Sequence, residues 1–147
     1  MHSNLTLWLL AIRPKTLVLA WLAVLLGTSL AVHTSGFNWP VAFFTLTTAT
    51  LLQILTNLAN DYGDALKGVD NQERLGPLRV MQTGLISYQQ MRLAIGLVIL
   101  FTLASGLALI YLAQISLIKV VIFICLGALA ILAALTYTLG NKPYRSE

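Results

Sequence analysis

A single cysteine among 147 residues excludes a disulfide framework. It is Cys125, inside an apolar run, and it is expected to pack in the interior. Charge is equally scarce. Charged residues make up 10% of the chain, against about 25% in a soluble domain. The nine basic residues form no dense run, so the net charge of +4 carries no nucleic-acid footprint and no nucleic-acid partner is expected. There are five acidic residues, and every Asp lies between Asp61 and Asp70. Between Lys15 and Asp61 there is no Asp, Glu, Lys or Arg at all. No segment alternates apolar and polar positions over a strand's length, so a membrane β-barrel is excluded.

What the chain has instead is apolar length. Hydrophobic residues make up 58% and the mean hydropathy is +0.83. Each membrane-crossing helix needs roughly 20 apolar residues. The chain therefore reads as an all-α integral membrane protein with four transmembrane helices in one domain covering residues 1–147. The expected spans are about 16–32, 39–60, 91–112 and 117–139, with a polar loop over about 61–88. Pro14 and Pro40 fit first helical turns, where a missing N–H costs nothing. The stretch Ala113 to Ser116 is short enough to require a helical hairpin. The first apolar run is read as an uncleaved span rather than a signal peptide, because three more spans follow it.

Lys and Arg set the orientation. Arg13 and Lys15 precede the first span, Lys67, Arg74, Arg79 and Arg92 lie between the second and third, and Lys142 and Arg145 follow the fourth. The opposite side holds only Lys119. The positive-inside rule places both termini and the long loop in the cytoplasm, as a multi-pass protein of the cytoplasmic (cell inner) membrane.

The acids fall on a pattern. Gln53, Asn57, Asn60, Asp61 and Asp64 share one face of a helix. A polar stripe in a membrane segment is expected to face a bundle interior or a wet cavity. Asp61 and Asp64 are expected at or just past a helix C-terminus, where a negative charge is disfavoured by a few tenths of a kcal/mol to about 1 kcal/mol. A bound cation would offset that. The set offers only oxygen donors, with no His or Cys beside it, which argues against zinc. Mg²⁺ commonly takes one or two carboxylates and completes its shell with phosphate oxygens. Lys67, Arg74 and Arg79 follow closely and can contact phosphate. Glycines at 63, 68, 76 and 84 let the loop bend. A metal and cations beside a lipid-facing cavity suit an isoprenoid diphosphate, with its tail among helices and its head group at the metal. Two blander readings stay open. The stripe is also what a solvated helix exit would look like, and the chain is also compatible with a non-catalytic four-span protein, a transporter subunit or an assembly factor.

Four patches carry a resemblance. They are Arg13-Pro14-Lys15-Thr16-Leu17; Leu52 through Asp64; Gly76-Pro77-Leu78-Arg79 with Met81-Gln82 and Gly84; and Thr136-Tyr137-Thr138 with Gly140, Pro143 and Tyr144. Together they resemble the UbiA family of intramembrane aromatic prenyltransferases, and most closely its menaquinone-biosynthesis branch. The resemblance implies the N-terminal part of a nine-helix prenyltransferase bundle with a central cavity. It implies Mg²⁺-dependent transfer of a polyprenyl chain from polyprenyl diphosphate to 1,4-dihydroxy-2-naphthoate, with loss of CO₂ and diphosphate, giving demethylmenaquinone. Asn57, Asp61 and Asp64 match the metal positions, Asp61 and Asp64 being the catalytic carboxylates. Lys67, Arg74 and Arg79 match diphosphate contacts less directly. The family's further Asp, four residues after Asp64, is Gly68 here, and the nearest carboxylate is Asp70. The family's second Asp-rich motif has no counterpart in these residues. The chain is thus expected to be the N-terminal half of such an enzyme, to need the missing C-terminal half as its partner, and to be inactive alone.

Overall fold

The computed structural model describes residues 4–34, 36–67 and 80–139. It is all-helical over these residues: α1 Asn4–Ile12, α2 Pro14–His33, α3 Trp39–Lys67, a 3-10 turn at Val80–Thr83, α4 Tyr88–Ala113 and α5 Leu117–Leu139. Four helices are long and apolar enough to cross a membrane, over Pro14–His33, Trp39–Leu66, Tyr88–Ala113 and Leu117–Thr136.

The helix ends follow local chemistry. Pro14 opens α2. Asn38 accepts the backbone N–H of Val41 at 3.3 Å and so caps the start of α3. Ser87 and Gln90 form a capping box: Ser87 Oγ accepts the Gln90 N–H at 3.2 Å, and Gln90 Oε1 accepts the Ser87 N–H at 2.8 Å. That box starts α4 at Tyr88, a turn before the apolar run from Met91. Gln114, in the left-handed conformation (φ 46°), closes α4.

Two features depart from the sequence expectation. Asn4–Ile12 form a helix of their own, too short to span. And α3 does not stop near Asn60 but continues to Lys67. Asp61 and Asp64, expected at or past the helix end, are therefore helical residues. Burial holds this extension: Leu58, Ala59, Asp61 and Gly63 are all buried, and Tyr62 and Ala65 pack against the neighbouring core.

That core sits at one end of the bundle. Leu7 and Ala11 of α1, Leu58 of α3, Val80 and Met81 of the 3-10 turn, Ile86, and Met91 of α4 form one buried cluster. Elsewhere the helices present Leu, Ile, Val and Phe outward, as a lipid solvent permits. Cys125, expected inside, is exposed on α5. In a membrane helix the outer face is as apolar as the inner one, so a short apolar residue carries no directional signal.

The hub is α3, which packs against α1, α2, α4, α5 and the 3-10 turn. Its hydroxyls explain how a Thr-rich helix sits in lipid. Thr45, Thr47, Thr50 and Thr56 donate back to backbone carbonyls a turn earlier, at 2.7–3.0 Å. Thr48 instead meets Ser105 of α4 at 2.8 Å, and Thr50 accepts the Trp21 indole N–H of α2 at 2.9 Å. A double-mutant cycle of Thr48→Val and Ser105→Ala is expected to show a coupling of about 0.6 kcal/mol, and not above about 1.7 kcal/mol. Reversible unfolding in detergent measures it, and a coupling near zero would mean that the two hydroxyls do not hold α3 to α4.

Candidate active site

The polar stripe falls on α3 as its spacing predicts, but its members differ in depth. Asn57 and Asp61 are 3% and 1% exposed, whereas Gln53, Asn60 and Asp64 are half-buried. A buried carboxylate needs a counter-charge, since leaving it unpaired is strongly destabilising. Arg13 supplies one: its Nη2 donates to Asp61 Oδ1 in an ion pair that joins the α1–α2 junction to α3.

The backbone aims Arg13 at that carboxylate. Arg13 lies between α1 and α2 with φ 54° and ψ 69°, a left-handed conformation. A following proline disfavours the right-handed helical region at this position, so α1 cannot run straight into α2. The left-handed conformation costs a non-glycine residue roughly 1–2 kcal/mol. Hydrogen bonds hold it in place. The Arg13 N–H donates to the Leu9 carbonyl at 3.2 Å, and the Arg13 carbonyl accepts both the Thr16 N–H and the Thr16 hydroxyl at 2.9 Å.

Asn57, one helical turn before Asp61, fastens the same junction. Its Nδ2 donates to the Ile12 carbonyl at 2.7 Å and to Thr16 Oγ1 at 2.8 Å. The last carbonyls of a helix have no partner within it, and Asn57 satisfies that of Ile12. These bonds also settle the amide's orientation, because the reversed amide would set oxygen against the carbonyl oxygen. Only Oδ1 of Asn57 is left for another ligand.

The start of α4 lies against the same end of α3. The rings of Tyr62 and Tyr88 meet edge to face at 6.0 Å, and the Tyr88 hydroxyl donates to the Ala65 carbonyl at 3.1 Å. The start of α4 is thereby pinned beside the last turns of α3. Of the three predicted diphosphate contacts, Lys67 closes α3 but its side chain lies outside the described residues, as do Arg74 and Arg79 entirely.

Among the described residues no group of three or more His, Cys, Asp or Glu could hold a metal. Within the stripe, Asn57, Asp61 and Asp64 offer two carboxylates and one amide oxygen. That donor set fits Mg²⁺ when phosphate oxygens complete the shell. It fits neither zinc nor a closed calcium cage. Sequence reasoning assigned Arg13 to membrane topology and missed its place at the site. No local signal in the sequence marked the pair, because the burial of Asp61 appears only in the fold.

An apolar groove of about 380 Å³ lies between α2 and α3, lined by residues such as Gly27, Thr28, Phe37 and Thr45. Thr45 is about 24 Å along α3 from Asp61 at 1.5 Å per residue, so this groove is separate from the carboxylates.

No family model and no solved structure matches the chain. Curated proteins do. It is 51% identical over 142 residues to the 1,4-dihydroxy-2-naphthoate octaprenyltransferase of Escherichia coli (strain K12), covering 97% of this chain and 46% of that protein. It is 43% identical over 145 residues to the protein of that name from Haemophilus influenzae, covering 97% and 47%. The Mycobacterium tuberculosis protein of that name is 35% identical over 137 residues, covering 93% and 44%. The chain spans about half the length of the curated relatives it matches.

Proposed function

We infer that this chain, which is homologous to 1,4-dihydroxy-2-naphthoate octaprenyltransferases, forms the first half of the metal–diphosphate site of an intramembrane prenyltransferase. The reaction is transfer of a polyprenyl chain from its diphosphate to 1,4-dihydroxy-2-naphthoate, releasing CO₂ and diphosphate and giving demethylmenaquinone. The observation that carries the reading is the Asn57–Asp61–Asp64 face of α3, whose most buried carboxylate is fixed by Arg13. The relatives' name supports the choice of acceptor. The distribution of Lys and Arg supports a cytoplasmic face for the site.

The residues divide the work by position. Asn57 holds the α1–α2 junction through Nδ2 and keeps Oδ1 for the site. Asp61 is paired with Arg13, and Asp64, half-buried, lies one turn nearer the end of α3. Asn57, Asp61 and Asp64 would hold Mg²⁺, which would supply charge neutralisation for the leaving diphosphate. Lys67 closes α3, Arg74 and Arg79 follow it in sequence, and all three would meet the remaining phosphate charge. Leu58, Met81 and Met91 are buried in one cluster at this end of α3 and would keep water from the protein side of the site.

The direct test is a chimera in which these residues replace the matching 46% of the Escherichia coli relative. Membranes carrying it are expected to make demethylmenaquinone from polyprenyl diphosphate and 1,4-dihydroxy-2-naphthoate with Mg²⁺. A chimera that inserts and folds but yields no prenylated product would overturn the reading. The 147 residues assayed by themselves are expected to give no product, since they bring only one carboxylate pair to a site. Clear turnover without a second polypeptide would contradict that expectation.

A further inference from the structure

We propose that Arg13 is the resident cation of the Asp61 carboxylate, and that a divalent ion binds there by displacing it, which frees the α1–α2 junction. The proposal rests on the reading of Asp61 as a metal-facing carboxylate. Asp61 is 1% exposed and its Oδ1 is taken by the Arg13 guanidinium, so an ion reaching that oxygen must compete with a charge already seated there. The Arg13 side chain is 30% exposed, which leaves it a way out toward solvent. Its backbone is the strained point of the junction, left-handed and followed by proline. Losing the ion pair therefore removes one of the contacts that hold that conformation. The helix that would respond is α1, nine residues long and seated through Leu7 and Ala11 on the core beside the site. Trp8 of α1 packs against the same core and reports on it.

Two readouts test this on residues 1–147 in nanodiscs. The first is Mn²⁺ affinity by electron paramagnetic resonance, read with inorganic phosphate present to supply the oxygens that complete the shell and corrected for Mn²⁺ held by phosphate alone. Arg13→Gln removes the competing charge, and its Kd for Mn²⁺ is expected to fall about tenfold or more, on the order of a single unit-charge interaction near a surface. Arg13→Lys, a point charge with a different reach, is expected to fall between parent and Arg13→Gln. If Arg13→Gln does not fold, the Arg13→Lys comparison decides alone. The second readout is Trp8 emission in a Trp21→Phe, Trp39→Phe background. Added Mg²⁺ is expected to shift it in the parent and leave it unmoved in Asp61→Asn.

The outcomes separate. Equal or weaker Mn²⁺ binding by the Arg13 variants, with binding still abolished by Asp61→Asn, would overturn the displacement and leave the metal site standing. Binding that survives Asp61→Asn, or no binding by parent and Arg13→Gln alike, would remove the metal reading itself.

Discussion

Asn57→Leu is expected to destabilise the chain by about 2–3 kcal/mol, because it leaves a buried backbone carbonyl without a donor. The side chain makes two bonds at 3% exposure, to the Ile12 carbonyl at 2.7 Å and Thr16 Oγ1 at 2.8 Å. Leucine matches the volume but donates nothing. Ile12 ends α1 just before the Arg13–Pro14 break, so its carbonyl has no helical partner to fall back on. The loss should exceed the roughly 0.6 kcal/mol typical of a hydrogen bond between membrane helices, since an orphaned group is left behind. Asn57→Asp is expected to be worse, as it sets a carboxylate against a carbonyl and adds a second charge one turn from Asp61. Thermal unfolding in detergent, followed through Trp8, measures both. Equal stability of Asn57→Leu and parent would show that the junction is held by apolar packing alone.

Asp61→Asn in the chimera is expected to lower prenyl transfer on the order of 10²–10³-fold, the usual cost of losing one group that stabilises developing charge. The substitution preserves shape and an oxygen for Arg13, so the helix should persist. It removes the negative charge that would hold a cation against diphosphate. Initial rates at saturating Mg²⁺, with circular dichroism as a check on folding, measure the loss. A rate within about threefold of the parent would place the chemistry elsewhere.

Much of this architecture was readable from the chain. Apolar length located the four long helices, since nothing but a membrane tolerates such runs. Helical spacing put Asn57, Asp61 and Asp64 on one face. The missed parts have physical reasons. The mostly apolar stretch Asn4–Ile12 runs toward the first span, and only the left-handed turn at Arg13 makes it a separate helix. Gly63, two Asp and a Tyr after Asn60 read as loop by composition. Packing against α1, α4 and the 3-10 turn overrides that and carries α3 to Lys67. The cap at Ser87 was present as Ser-x-x-Gln, but it lies in a stretch read as loop. The Arg13–Asp61 pair joins residues 48 positions apart, a separation that no local pattern encodes. Arg74 and Arg79 lie outside the described residues, so their part in the site stays a proposal.

The central claim is that the Asp61–Asp64 face of α3 seats the metal of a prenyl diphosphate. It is tested most directly by the Mg²⁺ dependence of prenyl transfer in the chimera, parent against Asp64→Asn. Asp64 is half-buried one turn nearer the end of α3, so its amide should be tolerated structurally. Half-saturation is expected to shift to Mg²⁺ concentrations about tenfold higher or more, with part of the rate recovered at high Mg²⁺. An unchanged Mg²⁺ curve with an unchanged rate would contradict it.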